Sequence, residues 1–144
     1  MLRGWYEHAI DDKGRLSLPA RHREKLGDVV ILLPGWDKQV IVYPPEAYDR
    51  LVTQVASMNM LLPEARELYR SIHKVAECQI DKAGRILIPA WLRAHADLDT
   101  NVIVQGLTDR LEIWNAERWH TSSDQALDQS SETAAKLAEL GYRL

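Results

Sequence analysis

The sequence predicts a mainly β, α+β fold in which one small unit occurs twice, flanked by short helices. Three observations carry this. First, Asp11-Asp12-Lys13-Gly14-Arg15-Leu16-Ser17-Leu18-Pro19-Ala20 returns 70 residues later as Asp81-Lys82-Ala83-Gly84-Arg85-Ile86-Leu87-Ile88-Pro89-Ala90, and Arg23 lands on Arg93. Second, the echo resumes at an offset of 71, where Gln39-Val40-Ile41-Val42-Tyr43 answers Arg110-Leu111-Glu112-Ile113-Trp114, and Glu46 and Tyr48 fall on Glu117 and Trp119. Third, short apolar and β-branched runs are separated by Gly, Pro and Asp, the punctuation of strands and turns. The period exceeds the roughly 20–50 residues of a solenoid unit, so the copies are expected to pack as a pseudo-twofold pair.

Taken in order, Trp5–Ile10 reads as a strand and Asp11–Gly14 as a turn. Arg15–Leu18 alternates, with Leu16 and Leu18 on one face and Arg15 and Ser17 on the other. Pro19 suits the first position of a helix, and Ala20–Leu26 is that short basic helix. Asp28–Leu33 and Gln39–Tyr43 are strands around a Pro34–Lys38 turn. Helices are expected over Pro45–Ala56 and Pro63–Lys74, where Leu68, Ile72 and Val75 share a face. The second copy then repeats the plan: strand Val75–Ile80, turn Asp81–Gly84, strand Arg85–Ile88, helix Pro89–Ala96, strands Asn101–Gln105 and Arg110–Trp114. Residues 119–131 are polar and Ser-rich with no clear period. Glu132–Leu140 resembles a final amphipathic turn or two ending at Gly141, and this tail is expected to be the least ordered part. The resulting division is 1–56 first half, 57–74 linking helix, 75–122 second half and 123–144 polar tail.

Composition sets bounds. An apolar fraction of 46% supplies a core, and no apolar run approaches the roughly 20 residues of a membrane span. The chain opens into a strand-like segment without a signal-peptide h-region. Cys78 is the single cysteine, so no internal disulfide is possible and the cytosol is the expected compartment. The net charge of −3 does not advertise a polyanion partner. Its distribution says more: residues 1–25 hold six basic side chains (Arg3, Lys13, Arg15, Arg21, Arg23, Lys25) against four acidic ones, a mildly basic face. Local field, not net charge, steers a polyanion.

The repeated D-x-x-G-R turn is the central motif. Asp can accept backbone N–H bonds of its own turn, and Gly tolerates positive φ. A turn of this kind does not require Arg, yet Arg15 and Arg85 both keep it. The guanidinium could pair with Asp11 or Asp81 as a structural fork, or contact phosphate or guanine; the residues alone leave both open. Ser17 shares the Arg15 face, whereas Leu87 replaces it in the second copy, which suggests that this second outward face is covered.

These paired turns, with Arg3-Gly4, Leu18-Pro19-Ala20, Ile88-Pro89-Ala90, Ser57-Met58-Asn59, Ala76-Glu77-Cys78 and Glu112-Ile113-Trp114, resemble the MraZ family over nearly all of residues 1–120. The resemblance implies a bacterial transcriptional regulator, encoded at the head of the division and cell-wall gene cluster. It implies an AbrB/SpoVT-like swapped-hairpin β-barrel, closed here within one chain by the two copies. It also implies a ring-shaped homo-oligomer, often octameric, that binds double-stranded DNA at short G-rich direct repeats in its own promoter, in the cytoplasm at the nucleoid. The DNA-binding role carries onto Arg15 first, with Lys13 and Gly14 in the same turn, Arg3, Arg21 and Arg23 nearby, and Arg85 in the second copy. That copy departs from the first: Ala83 stands for Lys13, and Trp91-Leu92 for Arg21-His22. The expectation is that the first copy faces DNA and the second serves packing or subunit contact.

Other chemistries find no support in the residues. The five histidines are scattered and none has metal-ligand spacing; no metal or cofactor is expected. Cys78 has no helix N-terminus or His partner that would activate it. Asp11-Asp12 is a carboxylate pair, but Lys82 takes the place of Asp12, so no catalytic residue is assigned. Trp114 and Trp119 align with Tyr43 and Tyr48 as matched core aromatics; Trp5 and Trp36 have no such partners, and one of them is a candidate for a subunit contact. Two functions therefore compete: a sequence-specific DNA-binding regulator, and a barrel scaffold or adaptor that does not bind DNA. The basic helix Arg21, Arg23, Lys25 beside the first turn favours the regulator.

Overall fold

The computed structural model describes residues 1–143; Leu144, the last residue of the expected tail, lies outside them. The elements are β1 (Trp5–Ala9), β2 (Arg15–Ser17), α1 (Ala20–Leu26), β3 (Val29–Pro34), β4 (Val40–Tyr43), α2 (Pro45–Ala56), α3 (Pro63–Ser71), β5 (Ala76–Gln79), β6 (Arg85–Leu87), α4 (Ala90–His95), β7 (Asn101–Gly106), β8 (Leu111–Asn115), α5 (Ala116–Asp128) and α6 (Ser130–Glu139). The mixed α+β composition, dominated by sheet in the body of the molecule, is as expected.

An antiparallel six-stranded sheet has the order β1-β7-β8-β4-β3-β5, and β2 pairs with β6 in a separate two-stranded ribbon. The six-stranded order is the same read from either end once the two copies are exchanged. The dyad passes between β4 and β8, where Ile41 faces Glu112, and between β2 and β6, where Leu16 faces Ile86. Both are pairs of repeat-equivalent residues. The first strands are exchanged: β1 lies on β7 of the second copy, with Tyr6 opposite Val104, and β5 lies on β3 of the first, with Val30 opposite Cys78. Neither copy completes its sheet without the other.

Alternation places Leu16, Leu18, Ile86 and Ile88 inward, against Val30, Leu32, Val40, Val42, Val102, Val104, Leu111 and Ile113 of the large sheet. A fully buried Leu or Ile stabilises a fold by roughly 1.5–3 kcal/mol. The opposite face of β3 and β4 is covered by α2, which brings Ala47 against Ile31, Leu33 and Tyr43. The equivalent face of β7 and β8 is covered by α5, with Trp119 against Ile103 and Trp114. The matched aromatics are thus core residues, as the repeat predicts: Tyr43, Trp114 and Trp119 are buried. Trp5 stacks on Trp119 with centroids 4.7 Å apart, while Trp36 is 81% exposed.

Three expectations change. The stretch after Trp119 is helical, in α5 and then α6. Asn115 starts α5 by accepting the Arg118 amide at 3.0 Å, a cap that saturates one free N–H of the first turn; Trp119 then anchors the helix. The lack of period arose because only its first turns are buried. Pro19 and Pro89 precede α1 and α4 rather than opening them, and their carbonyls accept the first helical bonds, from His22 and Arg23 and from Leu92 and Arg93. The apolar pair Trp91-Leu92 is not a surface counterpart of a polar Arg21-His22, because Leu92 and His22 are both buried. Only Trp91 remains outside, beneath the Lys74 ammonium at 5.5 Å.

His22 stacks on Tyr6, and neither ring nitrogen has a hydrogen-bond partner in the chain among the described residues. Burial lowers its pKa from 6.5, assisted by the Arg21 and Lys25 charges. The unfolded chain therefore takes up this proton first as pH falls, and stability is lost progressively from about pH 6.5 down to the lowered folded value. His22→Leu installs the side chain found at the equivalent position and removes the buried imidazole. Thermal melts from pH 7 to pH 5 are expected to show a higher midpoint, by about 1–3 kcal/mol of stability, and a flatter acid limb than wild type.

Candidate nucleic-acid interface

The two D-x-x-G-R turns are built alike, atom for atom. Asp11 Oδ1 accepts the Lys13 and Arg15 amides, each at 2.9 Å, and Oδ2 accepts Arg15 Nε at 2.7 Å. Asp81 Oδ1 accepts the Ala83 amide at 3.0 Å and the Arg85 amide at 2.8 Å, and Oδ2 accepts Arg85 Nε at 2.9 Å. The Arg15 amide leads in holding the Asp11 carboxyl below its ordinary pKa, and the Arg85 amide does the same for Asp81. The arginine is therefore part of the turn in both copies. Only Nε is used: the terminal Nη groups of Arg15 and Arg85 make no hydrogen bond among the described residues. The structural fork and an outward role are compatible, since a guanidinium has five donors.

Gly14 and Gly84 have φ of +83° and +78°, where a Cβ is disfavoured. They also carry a close approach. A Cβ on Gly14 would lie 2.9 Å from Arg93 Cζ, and one on Gly84 would overlap the Arg23 guanidinium. Each helix thus sends an arginine over the glycine of the other copy's turn. The ribbon is locked the same way: the Leu18 amide donates to the Gly84 carbonyl at 2.9 Å and the Ile88 amide to the Gly14 carbonyl at 3.0 Å.

The structure does not separate a first-copy turn from a second-copy turn. Arg15 pairs with Leu87 and Ser17 with Arg85 across the ribbon, so all four side chains lie on its outer face, opposite the buried Leu16–Ile86 pair. The Arg15 and Arg85 side chains are 31% and 34% exposed. Leu87 is uncovered at 55% exposed, against the expectation of a covered face. Lys13 and Lys82 are exposed at the two turn tips. With Arg23 and Arg93, the ribbon and its turns gather six cations against the three carboxylates Asp11, Asp12 and Asp81, on a chain whose net charge is −3.

The remaining expected residues group elsewhere. The Arg21 guanidinium lies beside Gly4, 3.7 Å from where a Cβ would sit, and Lys25 Nζ donates to the Met1 carbonyl at 2.7 Å. Arg3 is exposed in the same N-terminal segment. Arg3, Arg21 and Lys25 therefore form a second basic group beside α1. Arg23 is half-buried over Gly84. Arg93 and Lys82 carry no site role in the sequence reading, although the repeat match of Arg93 to Arg23 signals the first; Ser17 and Leu87 enter it only as the difference between the two outward faces.

The chain matches the family described as "MraZ protein, putative antitoxin-like" over residues 1–71 and 73–140. It is 42% identical over 140 residues to a protein of Heliobacterium modesticaldum named "Transcriptional regulator MraZ", covering 96% of this chain and 98% of that one. A protein of the same name from Desulfitobacterium hafniense is 42% identical over 142 residues, covering 98% of this chain and 99% of the relative. One from Ligilactobacillus salivarius is 38% identical over 140 residues, covering 96% and 98%.

Gly84→Ala is expected to lower stability by about 1–2 kcal/mol from the backbone alone, and more as Arg23 is displaced. Urea titration checks the size. Proton shifts of the Leu18 amide, which bonds to Gly84, report whether the disturbance crosses the dyad.

Proposed function

We propose that this chain, which belongs to the MraZ family of transcriptional regulators and is not an enzyme, acts by binding double-stranded DNA through the β2–β6 ribbon. The observation that carries the reading is the pair of arginines on one outer face, each fixed by its Nε and, among the described residues, without a hydrogen bond at its Nη groups. A two-stranded ribbon fits the major groove, where an arginine fork pairs with the guanine O6 and N7 edge. Lys13 and Lys82 at the turn tips serve phosphates, which position the protein without reading sequence. Arg3, Arg21 and Lys25 form a further basic patch for the backbone.

One ribbon neutralises few phosphates, so single-site affinity is weak. The reading therefore includes a ring of copies that engages several boxes together, with avidity of roughly 10²–10⁴ over one site. Trp5, Trp36 and Trp91 are exposed aromatic side chains suited to contacts between copies. The DNA is G-rich repeats upstream of the chain's own gene in the division and cell-wall cluster, the effect is repression, and the setting is the cytoplasm at the nucleoid. Among the described residues no helix is long and apolar enough to cross a membrane.

The test is a titration of purified protein against its own upstream duplex and a shuffled duplex, over a range of salt. Specific binding with a steep salt slope is expected. Arg15→Ala should cost about 1–3 kcal/mol at each engaged site, and Lys13→Ala should weaken all duplexes alike and reduce the salt slope by about 1 per site. Equal affinity for both duplexes, or no binding at low salt, would turn the assignment toward a barrel scaffold. Light scattering checks the assembly, which should be larger than a dimer at micromolar concentration.

A further inference from the structure

We propose that the ribbon reads DNA in one direction, because Leu87 packs on the methyl group of a thymine beside the guanine read by Arg15. The inference rests on the DNA-binding reading above and adds a residue and a base to it.

A ribbon with a true dyad would present identical halves, and its preferred site would mirror that symmetry as a palindrome. Here the dyad runs through the Leu16–Ile86 pair. It carries Arg15 onto Arg85, which agree, and Ser17 onto Leu87, which do not. The ribbon's outer face is therefore symmetric in its two arginines and asymmetric in the residue opposite each. Arg15 sits directly opposite Leu87, and Arg85 directly opposite Ser17.

The spacing spans about one to two base steps. Directly opposed residues have Cβ atoms about 4.5–5.5 Å apart and diagonal ones about 7–8 Å, against about 3.4 Å per base step. A duplex seated against Arg15 thus meets Leu87 at a neighbouring base pair, and meets Arg85 about two steps away. Leu87 is 55% exposed and offers no hydrogen bond. The apolar feature of the major-groove floor is the thymine C5 methyl, and aliphatic side chains favour it. The Ser17 hydroxyl beside Arg85 donates or accepts and accepts any base edge of suitable reach. Reversing the box would place the methyl against Ser17 and a polar edge against Leu87, and both contacts would be lost.

The experiment uses the full chain and the duplex it binds, with each thymine replaced singly by deoxyuridine, which removes only the C5 methyl. Wild-type protein is expected to lose about 3–5-fold in affinity at one thymine adjacent to a guanine, and little at the others. Leu87→Ala is expected to bind the thymine and deoxyuridine duplexes equally, with thermal stability and oligomer mass unchanged because Leu87 is exposed. Leu87→Ser, which restores the dyad, should bind the box and its reversed copy with affinities closer to each other than wild type does. The inference is overturned if no thymine is sensitive, if Leu87→Ala keeps the thymine preference, or if Leu87→Ala changes the oligomer mass, which would make Leu87 a contact between copies. Absence of wild-type binding to any duplex would instead remove the DNA-binding reading and this inference with it, so the two failures are distinct.

Discussion

The pairing of β2 with β6 is the constraint on which the rest of the molecule depends. Two strands of three residues each are too short to hold together by their own ladder. They persist because Leu16 and Ile86, paired at the dyad, have no exposed surface and close the core above the six-stranded sheet. That sheet is in turn assembled by exchange, with β1 completing the second copy and β5 the first. Duplication, swapping and ribbon are one arrangement seen at three levels. An alteration that weakens either copy removes the floor of the other.

The turn chemistry gives this arrangement its outward use. An Asp–Arg pair at the surface adds little net stability, because solvent screens its charges and ordering two side chains costs entropy. Its effect is on direction. With Nε held by Asp11 or Asp81, each guanidinium has given up much of its rotamer freedom before any ligand arrives, which lowers the cost of ordering it on binding. The reciprocal caps, Arg93 over Gly14 and Arg23 over Gly84, fix the turn from the other side. Each turn is thus positioned by residues from both copies, and the two arginines are oriented as a pair.

Much of this was legible in the sequence. The repeat located the strands, the turn residues and the core aromatics, because alternation and offset are local properties that survive without tertiary information. Partner choice was legible only through the family resemblance, which implies a swapped hairpin, and not from the strand residues themselves. Nothing in Trp5–Ala9 says that it lies on β7 instead of its own copy's β3, since both are apolar β-branched runs. The two uses of Arg15 could not be told apart from residue type, because one guanidinium serves both through different nitrogens. Leu87 reads from the sequence as a residue to be covered; its exposure follows from the ribbon standing at the surface with its inner face already filled. His22 is the converse case. Its polar label suggested a surface position, whereas its equivalence to Leu92 pointed inward. Helix α5 was missed because burial is confined to its start, so most of its length shows no apolar stripe.

The central claim, that both turns belong to one interlocked unit, is tested most directly by native-state hydrogen exchange at the Leu18 and Ile88 amides, which bond to Gly84 and Gly14 of the opposite copies. The account predicts that both amides exchange only through global unfolding, with the same opening free energy as Val30 and Val104 in the large sheet. It also predicts that Leu16→Ala lowers the protection of both by the same amount. Exchange of either amide through a separate, lower-energy opening that leaves the other protected would contradict it.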